Sequence, residues 1–428
     1  MVTMVMRVPP KMKVLIPLIL LIIAPAAAKE TGKAALSWQD VRERVMADNP
    51  ALARDRKSLE TARYSYRRSY APLLPQVSLS GRVNQSDSGN GNTKSYSYGA
   101  NGSLTLFDGL ANVNAVRGSE IEVFIANAQH ERTLASVIHE ARKNFIGLLW
   151  AQEAVTVSEN ILGRKNENLE LVRLKYEAGT EDRGSLLRIE ADTLQAGYEL
   201  EKARRYVHTA SCRLAQSMGY DVPDDFAVFA VTGTLQAGAP GAGYNVRKAT
   251  EKTPEYRIAA LSLRKATING AAAKSGFWPQ LSVSAGVSRA GTQWLAADGG
   301  WETGLSLSYP LFSGGRDYYG LKIARAAAQS AEISLRETAQ TLFASITASL
   351  NDLLDAHGGV GVRKKYLEAS TEQSRITTEK YINGLATYQE WYTIENDFIS
   401  AWRALLSAQR DAALSEAALK NIAGETGD

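Results

Sequence analysis

Polar and apolar positions alternate in two separate stretches of the chain. Val77, Leu79, Gly81 and Val83 alternate with Gln76, Ser78, Ser80 and Arg82. Beyond a polar loop, Tyr96, Tyr98, Ala100, Gly102, Leu104 and Leu106 alternate with Ser95, Ser97, Gly99, Asn101, Ser103 and Thr105. A period of two predicts strands with one apolar and one polar face. Leu281, Val283, Ala285 and Val287 repeat the pattern against Ser282, Ser284, Gly286 and Ser288. Trp301, Thr303, Leu305, Leu307 and Tyr309 oppose Glu302, Gly304, Ser306 and Ser308. Four strands are thus expected, at about 75–86, 95–107, 279–290 and 301–312.

Helical signals surround each strand pair. Ser37-Trp38-Gln39-Asp40 reads as a capping box opening a short helix to about Ala47. Asn49-Pro50 starts another over about 51–71, and Pro72 and Pro75 stop it. Gly118 to Tyr176 holds no proline and predicts one very long helix. Gly320 to Tyr381 predicts its counterpart, interrupted at His357-Gly358-Gly359-Val360-Gly361. Each long run turns at a short loop, Gly179–Gly184 or Gly384–Thr387, and returns to Gly219 or Gly424. Small apolar residues such as Ala324, Ala326, Ala327, Ala328 and Ala331 suit helices packed with close backbones, as in coiled coils.

These landmarks occur twice, in the same order, about 204 residues apart. Asn49-Pro50 returns as Thr253-Pro254, Leu74-Pro75-Gln76 as Trp278-Pro279-Gln280, and Leu106-Phe107-Asp108-Gly109 as Leu311-Phe312-Ser313-Gly314. Lys175-Tyr176-Glu177-Ala178-Gly179 returns as Lys380-Tyr381-Ile382-Asn383-Gly384. An internal tandem duplication is the expectation, with structural repeats over 29–219 and 244–428 joined by a Pro/Gly/Ala-rich linker over 220–243.

A soluble hairpin with one wet face would show the same alternation. Strands of about 10 residues also suit a tilted bilayer crossing. Aromatic residues lie near their ends: Phe107, Trp278, Trp294, Trp301, Tyr309 and Phe312. Four strands cannot close a barrel, and an open sheet edge is not tolerated in lipid. The chain is therefore expected to oligomerise to complete its barrel.

The start of the chain reads as a signal peptide over 1–28. Arg7, Lys11 and Lys13 precede an apolar stretch from Val14 to Ala24, and Ala26-Ala27-Ala28 fits a cleavage site. The formal net charge of +4 falls to about +1 without those three cations, which argues against a nucleic-acid partner. The one cysteine, Cys212, cannot form an intramolecular disulfide. The four histidines, His130, His139, His208 and His357, have no metal-ligand spacing. No H-E-x-x-H, G-x-S-x-G or P-loop motif occurs, so neither catalysis nor a cofactor is expected.

In their order these features resemble the outer membrane factor family, the TolC-like channels of Gram-negative bacteria. The resemblance is carried by Leu36-Ser37-Trp38-Gln39, Asn49-Pro50, the Leu-Pro-Gln and Trp-Pro-Gln strand starts, the Leu-Phe-x-Gly exits and the Lys-Tyr-x-x-Gly helix tips. It implies a mainly α protein with a membrane β-hairpin pair. Three chains would form a 12-stranded β-barrel in the outer membrane, continued by a 12-helix coiled-coil tunnel in the periplasm. The implied function is the outer-membrane channel of a tripartite efflux or type I secretion system. Its implied partners are a periplasmic adaptor, an inner-membrane pump or ABC exporter, and outer-membrane lipid. The alternative is a structural or adhesive outer-membrane coiled-coil protein without transport.

The resemblance also implies where such a duct closes, at the helix tips. The family carries acids six and nine positions after the second tip glycine. Here those positions hold Glu390 and Thr393, with Glu395 and Asp397 further along. Three copies of Glu390 would make an acidic ring favouring cations; a plain solvated helix face is the competing reading. Tyr381 and Tyr176 match the family's closing tyrosine, three before the tip glycine. Asp182 and Arg183 lie in the first turn and are expected to make charge contacts between tips. The family's lock arginine is Ala386 here, and Ser185 stands where the first tip would carry an acid. Adaptor docking is expected around Gly179 and Gly384.

Overall fold

The computed structural model describes residues 35–87, 92–220, 229–238, 243–294 and 299–425. The expected leader lies outside them, as do 221–228 and 239–242 of the expected linker. Helices α1 (Trp38–Asp48) and α2 (Pro50–Arg68) lead through a short 3₁₀ turn into strands β1 (Gln76–Asp87) and β2 (Asn92–Phe107). Then come α3 (Ala111–Glu177) and α4 (Arg183–Ser217). The second half gives α5 (Val246–Lys252), α6 (Pro254–Ala272), β3 (Gln280–Gly291), β4 (Gly299–Ser308), α7 (Arg316–Ile382) and α8 (Tyr388–Ile422). Both α3 and α7 have 67 residues, and both α4 and α8 have 35. At 1.5 Å per residue the long helices reach about 100 Å.

The strands form one antiparallel sheet in the order β1-β2-β3-β4. Its register gathers the apolar faces. Leu79 lies opposite Ala100, which lies opposite Val287, which lies opposite Trp301. Among the described residues no other element covers that face: Leu79 is 85% exposed and Trp301 78%. Among the described residues both outer strands, β1 and β4, lack a neighbour on one edge.

Below the sheet, α3 packs on α4 on one side and on α8 on the other, while α8 packs on α7. Nearer the sheet the partners change: α2 and α6 pack on α3, and α6 packs on α7. The change is made at two abutments. Asn49 caps α2 through its Oδ1, while its Nδ2 donates to the Ser217 carbonyl at 2.8 Å, so α2 restarts where α4 ends. Gly424, just past α8, lies against Pro254, the first residue of α6. Four helices per chain thereby persist along the stalk. Segment 229–238 lies across this level; Leu36 N donates to the Ala230 carbonyl, and Val231 is buried among Val41, Phe145 and Leu149.

Gly219 ends α4 with φ +79°, and a Cβ there would run into the Asp48 carbonyl oxygen. Gly219→Ala is expected to cost about 2 kcal/mol from the left-handed backbone alone. The measurement is the thermal midpoint by circular dichroism in detergent.

Three sequence expectations change. Helix α7 is continuous through His357–Gly361, where a break was expected. Each helical glycine costs about 1 kcal/mol against alanine, but Leu353 and Ser374, both buried, hold the helix on either side of the gap. Strand β4 stops at Ser308 rather than near 312, because Pro310 has no N–H to give the ladder. Helix α3 starts at Ala111, ahead of Gly118.

Candidate functional site at the helix tips

Both long hairpins turn in the same way. Gly179 (φ +73°) and Gly384 (φ +74°) follow their helix caps in the left-handed region. Thr180 N donates to the Lys175 carbonyl at 2.9 Å and Leu385 N to the Lys380 carbonyl at 2.8 Å. Gly179 N donates to Tyr176 and Gly384 N to Tyr381. These pairs are Schellman motifs, which require the glycines. The return helices are capped at once. Asp182 Oδ1 accepts from Ser185 N at 3.0 Å, and Thr387 and Glu390 form a capping box opening α8.

The two tips of one chain are cross-tied. Tyr381, only 2% exposed, donates its hydroxyl to Glu181 Oε2 at 2.7 Å. Its ring stacks on Trp391 at 4.6 Å and 9°. Trp391 Nε1 donates to Thr378 Oγ1 at 3.1 Å. Lys175 Nζ donates to the Ile382 carbonyl at 3.3 Å and sits over the Tyr381 ring. Burial, then the Glu181 carboxylate, pushes the Tyr381 hydroxyl up, so it remains a donor.

A second tie lies further along the stalk. Arg164 of α3 grips Glu395 of α8 through Nε (2.6 Å) and Nη2 (2.8 Å). Asn168 Nδ2, Ser374 Oγ and Thr378 Oγ1 also donate to that carboxylate. Burial raises the Glu395 carboxyl, but the Arg164 and Ser374 hydrogen bonds more than offset it, and the net direction is down. Next to it, Lys165 Nζ bridges Asp192 of α4 and Asn396 of α8, each at 3.0 Å. A buried pair of this kind joins α3, α7 and α8, and its neighbour adds α4.

The expected tip residues thus fall into different environments. Glu395 is 2% exposed, and its carboxylate meets Arg164, Ser374 and Thr378 of its own chain. Glu390 and Asp397 are exposed. Glu390 Oε2 accepts from Thr387 N at 2.9 Å, and that backbone hydrogen bond leads in lowering its carboxyl. Tyr176 is exposed, unlike its counterpart Tyr381. Asp182 is spent as the α4 cap, and among the described residues the Arg183 side chain makes no ion pair. Within one chain, the contact from this turn to the other tip is made by Glu181, which accepts from the Tyr381 hydroxyl. Sequence reading missed Glu181, Trp391 and Arg164. Only Trp391 carried a signal, a tryptophan one turn past the cap. Among the described residues no cluster of three or more His, Cys, Asp or Glu could hold a metal ion.

The family model for outer membrane efflux proteins matches residues 41–220 and 245–425. The outer membrane efflux protein BepC of Brucella suis is 22% identical over 407 residues, covering 92% of this chain and 87% of BepC. The cation efflux system protein CusC of Escherichia coli K12 is 21% identical over 394 residues, covering 89% and 84%. A crystal structure of CusC superposes with a TM-score of 0.82 at 17% identity over 91% of this chain and 92% of that one. The open state of the Neisseria gonorrhoeae MtrE outer membrane channel gives 0.78 at 21% identity over 91% and 89%.

Proposed function

The chain belongs to the outer membrane efflux protein family, and from its geometry we propose that three copies form the outer-membrane duct of a tripartite efflux or secretion machine. The observation that carries this is the sheet: an uncovered apolar face together with two unpaired edges. Water disfavours the face and lipid forbids the edges. Pairing β4 of one copy with β1 of the next resolves both, and three copies make a 12-stranded β-barrel. The flanking helices agree. Leu194 and Tyr198 on α4, and Ile323, Ile333 and Tyr366 on α7, are exposed apolar residues on the two helices that lack an outer neighbour. Joining α7 to the next copy's α4, and nearer the sheet to its α2, would bury them in a 12-helix tunnel.

In this reading the duct does no chemistry. The polar sheet face of Ser80, Asn101, Ser284 and Ser306 lines a wet passage. The tips close it, with Glu390 and Asp397 offering exposed carboxylates around the threefold axis. A periplasmic adaptor docks near Gly179 and Gly384 and draws the tips apart, and an inner-membrane pump or ABC exporter supplies the cargo. The Tyr381–Glu181 hydrogen bond is one of the contacts that must yield. A bond to a charged acceptor contributes about 1.5–3 kcal/mol. Tyr381→Phe is therefore expected to raise the open fraction about tenfold, read as mean conductance in planar bilayers. Unchanged conductance in Tyr381→Phe and Glu390→Gln together would reject the tips as the gate.

A further inference from the structure

The stalk carries a second feature that conduction does not require. Over α3, between α4 and α8, lies a groove of about 640 Å³. Small residues make its floor: Ala151, Ala154 and Ser158 of α3, with Ala203 of α4. The rims are long and basic. Lys202 and Arg205 stand on α4, and Arg403 and Arg410 on α8, two turns apart. Glu199 is the one acid lining it and lies 3.7 Å from Lys202. Arg410 pairs with its neighbour Asp411 at 2.7 Å, whereas Arg403 has no ion pair among the described residues. The chain as a whole is nearly neutral, so this excess of cations is local.

One end of the groove is aromatic. Trp150 and Tyr206 meet edge to face with ring centroids 5.7 Å apart, and the Arg410 guanidinium lies 4.9 Å over the Trp150 ring. The Trp150 indole Nε1 is shielded from solvent and finds no acceptor among the described residues. A flat apolar wall and adjacent cations have complementary chemistry in one class of molecule. We propose that this groove binds a small organic anion with an aromatic body, the ring against Trp150 and Tyr206 and the acid group between Arg403 and Arg410. The volume suits one such molecule. The small-residue floor, from Ala151 to Ser158, spans only about 10 Å at 1.5 Å per residue, which is short for a partner helix of several turns.

The test is equilibrium dialysis of the full chain in amphipol, free of micelles, with 1-naphthalenesulfonate, and with 1-naphthalenemethanol as its neutral match. Binding is measured whether or not the protein conducts, so failure here is separate from failure of the duct reading. The sulfonate is expected to bind at least tenfold more tightly than the alcohol. Losing one charge-assisted contact is worth about tenfold. Arg403→Gln with Arg410→Gln should therefore weaken the sulfonate tenfold or more, and Ala154→Leu, which fills the floor, should weaken both probes. Equal affinity for the two probes, or wild-type binding by the arginine variant, overturns the proposal. So does a result in which an acidic helical peptide binds and the sulfonate does not.

Discussion

Replacing Glu395 by glutamine is expected to loosen the stalk more than any other single change of charge. Glu395 is almost wholly buried and receives five hydrogen bonds from Arg164, Asn168, Ser374 and Thr378. The amide fills the same space but leaves Arg164 without its counter-charge. Breaking a buried pair costs about 3–5 kcal/mol, and Arg164 keeps some solvent contact, so about 3 kcal/mol is expected. The thermal midpoint in detergent should fall accordingly at pH 7. The pH dependence supplies a second readout. The folded Glu395 carboxyl lies below its ordinary value. Its contribution is therefore present above the unfolded value, about 4.3, and is lost as pH falls through the folded one. Wild type and Glu395→Gln should converge in acid and separate towards neutrality. A constant gap across that range would mean the carboxylate is not the charged partner.

Trp391→Ala is expected to have the largest effect at the tip itself. The side chain is 1% exposed, stacks on Tyr381, and packs with Val172 and Ile189 of the other hairpin. Deleting a buried tryptophan costs about 3–5 kcal/mol. The cavity also removes the surface that holds Tyr381 in position to reach Glu181. Trp391→Phe keeps a ring for the stack, loses the bond to Thr378, about 1 kcal/mol, and leaves a smaller cavity than alanine does. Amide hydrogen exchange over 170–190 and 376–396 should accelerate strongly in the alanine variant and little in the phenylalanine one. Equal exchange in both would show that the stack does not hold the hairpins together.

The sequence shows some levels of this structure better than others. Alternation in Val77–Val83 and Val283–Val287 identifies the strands because a period of two aligns whole faces once strands pair. The tip glycines are legible because a Schellman cap demands a positive φ. The continuity of α7 was not: three glycines argue locally for a break, and contacts made far away at Leu353 and Ser374 decide otherwise. The role of Glu395 was also hidden. Helix α3 meets α4 and α8 at one level and α2 and α6 at another, so helical spacing alone cannot say which neighbour a given acid meets. Glu181 gave no signal, since an exposed-looking turn acid differs from its neighbour Asp182 only in which way the chain leaves the Gly179 cap. Residues that act within one helix turn were readable; those that join α3, α7 and α8 across more than 200 positions needed coordinates.

The central claim is that open sheet edges and apolar flanking helices are completed by further copies of the same chain. Native mass spectrometry of the detergent-solubilised protein tests it most directly. The account predicts one dominant species at three times the chain mass, collapsing to single chains only on heating. A folded, helix-rich monomer at micromolar concentration would contradict it, because β1 and β4 would then stand unpaired in the membrane.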